Sequence, residues 1–281
     1  EFIDFKKYKN PIRKKYPISS VITSRGCPHE CIYCFHDRTL RMRSPENVVD
    51  EIEWQVNNFG IKEICIVDDN FTANIQRAER ICDLIIERKI KVAMQCWNGI
   101  RADRVTKQLL EKMKKAGIWL VCFAPETGSE DTLLKIKKRF TLEQVKQARA
   151  WCKELGIATY SFFMIGFPWE NRKLVQQTID FANELNAEFT QFTRVYPMMG
   201  TELYEQVKDQ FQIQRSDEGL FYGGSRIKLQ DMNEEEVEKM IRKAYRSFYL
   251  RPAKMLRLIF TLSPNNLFEL FKYSILTRSI G

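Results

Sequence analysis

Residues 24–36 read SRGCPHECIYCFH and place Cys27, Cys31 and Cys34 in a C-x3-C-x2-C array. The array follows an apolar, β-branched run at 18–24 (ISSVITS) that reads as the first strand of the chain. Thiolates at this spacing on one loop can converge on a metal or an iron–sulfur cluster. The number three is informative. A structural zinc is closed by four ligands, whereas a cluster on three cysteines keeps one iron open for something other than protein. His29 and His36, the only two histidines, offer zinc a fourth ligand, so a zinc site stays open as a second reading. Both also fit as polar loop residues. Cys65, Cys82, Cys96, Cys122 and Cys152 lie among apolar neighbours and read as small buried side chains.

Outward from the loop, apolar β-rich runs alternate with helix-period stretches, which predicts a parallel sheet flanked by helices. Strands are expected at 18–24, 61–67, 91–97, 118–123, 157–164 and 188–196. Helices are expected near 45–58, 74–89, 103–116, 141–155 and 171–186. Ser44 with Pro45 marks a helix start, and Thr141 with Gln144 a capping box. Gly60, Gly117 and Gly156 each close a helix ahead of a strand. Six βα units fit an open doubly wound sheet and a partial (β/α)6 barrel equally well. In either, ligands gather at the carboxyl ends of the strands.

The pattern changes near residue 210. Residues 216–230, which include GLFYGGSRI, read as a loop or hairpin. A helix at 232–250 opens on Asn233 with Glu234, Glu235 and Glu236 in its first turn. Short helices follow Pro252 at 253–262 and 264–276. The expected division is a linker-like segment at 1–17, an α/β barrel at 18–210 and a helical C-terminal extension at 211–281.

The chain has 281 residues, 44% hydrophobic and 29% charged, which excludes disordered and low-complexity classes. No run of 18 apolar residues is present, and the charged opening lacks the apolar stretch of a secretory signal. A cytosolic setting with reduced thiols is therefore expected. Net charge is 45 − 36 = +9, which suits anionic partners. The excess is spread along the chain, and specific nucleic-acid binding is not expected. Arg242, Lys243, Arg246, Arg251, Lys254 and Arg257 stand among aromatics. That stretch reads as a helix packed on its own domain, or as one lying on a membrane surface.

Polar residues at strand ends supply the other candidates. Asp68-Asp69-Asn70-Phe71 follows the second strand, where three polar side chains are costly unless they meet a ligand or start a helix. A capping turn through Asn70 or Thr72 is the alternative. Glu126 stands in Ala124–Ser129 after the fourth strand. Gly166-Phe167-Pro168-Trp169-Glu170 follows the fifth, with Gly166 free to let backbone approach a flat ligand and Glu170 expected to cap the next helix. Arg101 and Arg104, beyond the third strand, could meet an anion or simply open a helix. No Ser–His–Asp, paired-carboxylate or phosphate-loop signature competes.

C-x3-C-x-aromatic-C after the first strand of a six-unit α/β chain resembles the radical S-adenosylmethionine (SAM) superfamily. The resemblance implies a partial (β/α)6 TIM barrel. It makes Cys27, Cys31 and Cys34 the ligands of a 4Fe–4S cluster, with Tyr33 as the aromatic before the third cysteine. It implies that the fourth iron binds SAM, which is reductively cleaved to methionine and a 5′-deoxyadenosyl radical. Asp69, with Asn70, stands where the family often has Gly-Gly-Glu near the SAM amine. Glu126 matches a carboxylate near the SAM ribose or methionine part, and Gly166 and Pro168 an adenine-side motif. Tyr196–Thr201 resembles a P-x-x-G-T segment that shapes the substrate side.

VDDNF, GFPWE and AYRSFYLRP are together similar to the cobalamin-dependent class B branch, and IDFKKYKNP resembles the linker after its cobalamin-binding domain. The branch implies methylation, cyclisation or rearrangement at an unactivated carbon. It implies a small-molecule or lipid-like substrate, an electron donor and a cobalamin-binding domain outside these residues. Two other functions are weighed beside it. A tRNA methylthiotransferase would call for an extra cluster domain and an RNA-binding barrel. A zinc-bearing nucleic-acid-binding protein would use the basic faces.

Overall fold

The computed structural model describes residues 10–213, 225–227, 229, 231–261 and 264–268. Its main sheet has six strands: β1 (Ile18–Val21), β2 (Glu63–Ile66), β3 (Ala93–Cys96), β4 (Ile118–Glu126), β5 (Ala158–Ile165) and β6 (Phe189–Arg194). Each pairs in parallel with the next strand of the sequence, so the spatial order is β1-β2-β3-β4-β5-β6. A doubly wound sheet reverses its order at a switch point. This sheet never reverses, so the winding is that of a barrel. The partial (β/α)6 barrel is the architecture found.

The helices are α1 (Pro45–Phe59), α2 (Ile75–Glu87), α3 (Lys107–Lys115), α4 (Glu130–Lys135), α5 (Leu142–Glu154), α6 (Arg172–Leu185), α7 (Glu202–Val207), α8 (Glu234–Tyr249) and α9 (Pro252–Thr261). Their starts follow the expected chemistry. Ser44 accepts from the Asn47 amide at 3.2 Å with Pro45 next in line. Thr141 and Gln144 exchange both bonds of a capping box, as do Asn233 and Glu236. The short α4 and α7 were not expected, because six residues are too few to show a 3.6 period. Residues 225–227, within the 216–230 stretch expected as a loop or hairpin, pair antiparallel with 211–213, which lie ahead of it. Residues 214–224, like 269–276 of the last expected helix, lie outside the described residues.

Strand β2 is buried at every position, as a parallel strand covered on both faces should be. The inward faces of the helices, such as Val48 and Ile52 of α1, join Ile64, Met94, Val121 and Phe163 of the sheet in one core. A second cluster gathers Ile12, Trp119, Tyr160, Phe189 and Leu258. There the first described residues meet the barrel. The fully buried Glu63 accepts from the amides of Lys14 (2.7 Å) and Lys15 (2.5 Å), from Gln95 Nε2 (2.6 Å) and from Trp119 Nε1 (2.9 Å). Four donors on one carboxylate offset the cost of burying it. They fasten residues 10–15 to the amino-terminal end of the barrel. The free edge of β6 is covered by α8. Tyr245 Oη and Tyr249 Oη each accept from one β6 amide and donate to the carbonyl of the same residue, Phe192 and Thr190.

Candidate active site

Strand β1 was expected to run to residue 24 but leaves the sheet after Val21, and Asp68 explains the exit. Buried at the end of β2, its carboxylate accepts from Thr23 N, Thr23 Oγ1 and Ser24 Oγ at 2.5–2.6 Å. The chain turns outward there, and Ser24–Arg25 pairs antiparallel with Arg41–Met42. The loop held between these two short strands carries the three cysteines.

Several bonds shape this loop. Gly26 donates its amide to Asp69 Oδ2 at 2.8 Å. Its φ is +84°, and a Cβ there would lie 2.3 Å from the Thr39 carbonyl oxygen. The Cys27 amide donates to Asp37 O, and the Cys34 amide to Cys31 O. Ile32 donates to Ile136 O beyond α4 and accepts from the Leu203 amide in α7. Thr201 caps α7, so the P-x-x-G-T segment braces the cysteine loop. His36 Nε2 lies 2.8 Å from Cys27 O and Nδ1 lies 3.0 Å from Cys34 Sγ. Burial, then the neighbouring Cys31, push the Cys34 thiol up to about 12. Burial also raises Cys27.

Cys27, Cys31, Tyr33, Cys34, Asp69, Asn70 and Glu126 all line one cavity of about 170 Å³ at the carboxyl ends of the strands. The Asn70 side chain caps the short 3₁₀ turn Phe71–Ala73, its Oδ1 accepting from Thr72 N and Oγ1. Its Nδ2 is buried without a hydrogen-bond partner, a donor left needing an acceptor on a residue that lines the cavity. Glu126 sits where the β4–β5 register slips, with φ +69°, a conformation that costs a non-glycine residue about 1 kcal/mol or more. Its Oε1 accepts from Tyr33 Oη at 2.8 Å and from Lys138 Nζ at 3.0 Å. Lys138 Nζ also donates to Tyr33 Oη at 2.7 Å.

Lys138 was missed. It lies in a run with Lys135, Lys137 and Arg139, and only the fold shows that it alone of the four is buried. Of the two arginines, Arg101 lines the cavity, paired with Asp103 and donating to Lys138 O, while Arg104 is exposed. Gly166 and Pro168 do not line this cavity. The Gly166 and Phe167 amides turn instead onto Glu170 Oε2, at 2.8 and 3.1 Å. Glu170 therefore does not cap α6. Asn171 does, accepting from Leu174 N.

The cavity suits the implied group in its donor chemistry. Three thiols share one wall, beside an unsatisfied amide donor and a paired carboxylate and ammonium. Among the described residues, no three His, Cys, Asp or Glu side chains converge on a point where a single ion would sit. A multi-iron cluster asks less, since it offers a separate iron to each sulfur.

The family model described as the radical SAM superfamily matches residues 21–182, more than half of the chain. The chain belongs to the radical SAM superfamily. Membership brings the superfamily's two cofactors, a 4Fe–4S cluster and SAM. An uncharacterized methyltransferase of Pyrococcus horikoshii is 33% identical over 250 residues, which cover 87% of this chain and 54% of that protein. Cytidylyl-2-hydroxyethylphosphonate methyltransferase of Streptomyces wedmorensis is 30% identical over 214 residues, 72% of this chain and 40% of the relative. The chain thus spans about half the length of the curated relatives it matches, or less. Among solved structures, the radical SAM methyltransferase TsrM of Kitasatospora setae, with cobalamin and a [4Fe-4S] cluster bound, superposes with a TM-score of 0.65. That match is 18% identical and covers 80% of this chain and 43% of the other, so it speaks for the fold alone.

Proposed function

We propose that this chain is the catalytic barrel of a radical SAM enzyme that methylates or rearranges a small molecule at an unactivated carbon. The observation that carries the reading is the single cavity that collects Cys27, Cys31 and Cys34 with Tyr33, Asp69, Asn70 and Glu126. The three cysteines hold the 4Fe–4S cluster. When bound, the cluster and SAM supply the reducing electron and the radical chemistry. The protein's own task is placement and exclusion of water. Asn70 Nδ2 offers its proton to a ligand acceptor. Glu126 is held by Oε1 and turns its other oxygen to the ligand, and Asp69 fixes the start of the cysteine loop while lining the same wall.

The two methyltransferase relatives support methylation, and the family resemblance supports the cobalamin-dependent branch, with a cobalamin-binding domain and an electron donor as partners. The cysteine usage and the charged opening of the sequence support a reducing, cytosolic setting. Among the described residues, no helix is long and apolar enough to cross a membrane. The family match does not favour a zinc-bearing nucleic-acid binder.

The test is anaerobic reconstitution with iron and sulfide, followed by reductant and SAM. The wild-type chain should bind four irons and release 5′-deoxyadenosine. Ala at Cys27, Cys31 or Cys34 should abolish both, while Ala at Cys65 or Cys152 should not. Full activity of Cys31→Ala would sink the proposal. Methyl transfer should appear when a cobalamin-binding domain is added, and tight cobalamin retention by these 281 residues alone would contradict that part of the reading.

A further inference from the structure

Helix α9 is turned the wrong way round for a packed surface helix. Its inward side carries a charge: Lys254 is 3% exposed, and its Nζ donates to Asn186 Oδ1 and to the Ala187 carbonyl ahead of β6. Leu258, one turn on, is buried beside it. The outward side is apolar. Met255, Leu256 and Ile259 are 50%, 58% and 53% exposed, at the i, i+1, i+4 spacing of one helix face. Leu250 before the helix and Phe268 after it are also exposed. Three large apolar side chains on one exposed helix face mark a contact surface.

Charge says what kind of surface is met. From residue 250 to the end, the sequence holds one acid, Glu269, against five bases, Arg251, Lys254, Arg257, Lys272 and Arg278. Arg251 and Lys254 are engaged on Asn183 and on residues 186–187, and the sequence count still leaves an excess of positive charge in this part of the chain. Arg246 adds an exposed base on the last turn of α8. Protein interfaces deplete lysine at their cores and bury about 800 Å² per partner. A ten-residue helix is about 15 Å long and offers less. An anionic bilayer requires no such area. It takes apolar side chains at the acyl boundary and basic ones at the headgroups.

We propose that the apolar face of α9, with Arg246 and the basic excess of the C-terminal sequence, seats this protein on an anionic lipid surface. Leu258 packs with Ile12, Trp119 and Phe189, which mark the amino-terminal ends of β4 and β6. The lipid face is therefore at the end of the barrel opposite the cysteine cavity, whose mouth is left to the water.

Sedimentation of the full chain with vesicles tests this. The protein should bind phosphatidylcholine vesicles that contain phosphatidylglycerol, bind vesicles of phosphatidylcholine alone at least about tenfold more weakly, and be released by high salt. The triple variant Met255→Ser, Leu256→Ser, Ile259→Ser changes only exposed positions and should keep the thermal melt of the parent. Its lipid affinity should fall by about tenfold or more. Absence of wild-type binding, or equal binding by the variant, would overturn the proposal. So would a wild-type dimer in sedimentation velocity that the variant dissolves, which would assign the stripe to a second copy.

Discussion

At the scale of single residues, the site depends on side chains whose surroundings decide their chemistry. Lys138 and Glu126 form a nearly inaccessible ion pair, and removing the cation from such a pair costs about 3–5 kcal/mol. Lys138→Met should lower the melting temperature and weaken SAM binding by tenfold or more while iron content stays intact; Lys138→Arg should recover part of the affinity. Calorimetric titration of the reconstituted protein reads both. Glu170 invites a pH experiment. Burial lifts its carboxyl from the ordinary 4.5 to about 7, against the lowering effect of the Gly166 and Phe167 amides. The folded state then holds a proton that the unfolded state releases between these values. The stability contributed by that proton is full below pH 4.5 and fades as pH rises through 7, a change of about 3 kcal/mol. Glu170→Gln should flatten this decline in denaturation series run from pH 5 to 8. The cysteines, Tyr33, Asp69, Asn70 and Glu126 were legible because their motif or strand-end position marks them. Lys138 was not, because nothing in Lys135–Arg139 tells which of four bases turns inward.

At the scale of elements, the cysteine loop takes its shape from tight backbone contacts. A side chain at Gly26 would strike the Thr39 and Asp37 carbonyls and would need a left-handed backbone. Gly26→Ala should therefore lose cluster binding while the far-ultraviolet circular dichroism of the barrel persists. The α5 capping box is a milder case. Thr141→Ala should cost about 1 kcal/mol of stability in chemical denaturation. All six sheet strands and the five long crossover helices could be read from periodicity and caps. Three features could not. The exit of β1 depends on Asp68, forty-five positions from Thr23. The helices α4 and α7 are shorter than two turns. The 166–170 turn depends on which amides Glu170 reaches, and sequence spacing does not distinguish a helix cap from a turn cap.

At the scale of the whole molecule, periodicity left two architectures open, and the unreversed strand order decides for the barrel. Local pattern cannot carry that information, because every βα unit looks alike whichever side of its predecessor it joins. The amino-terminal end of the barrel is closed by residues 10–15 on Glu63. Glu63→Leu would leave four donors without an acceptor, at about 1–3 kcal/mol for each one kept from water. The variant should lose several kcal/mol of stability, and limited proteolysis should cut near residue 15 where the parent resists.

That fastening also sets a leash. Anything joined covalently ahead of residue 10 begins its path at the closed end of the barrel, while the cysteine cavity opens at the other. The strands β1–β6 run 4 to 9 residues, and the longest spans about 30 Å at 3.3 Å per residue. A carrier joined ahead of residue 10 must therefore span the whole height of the barrel to reach the cavity, whereas the same carrier supplied as a separate chain would approach the mouth directly.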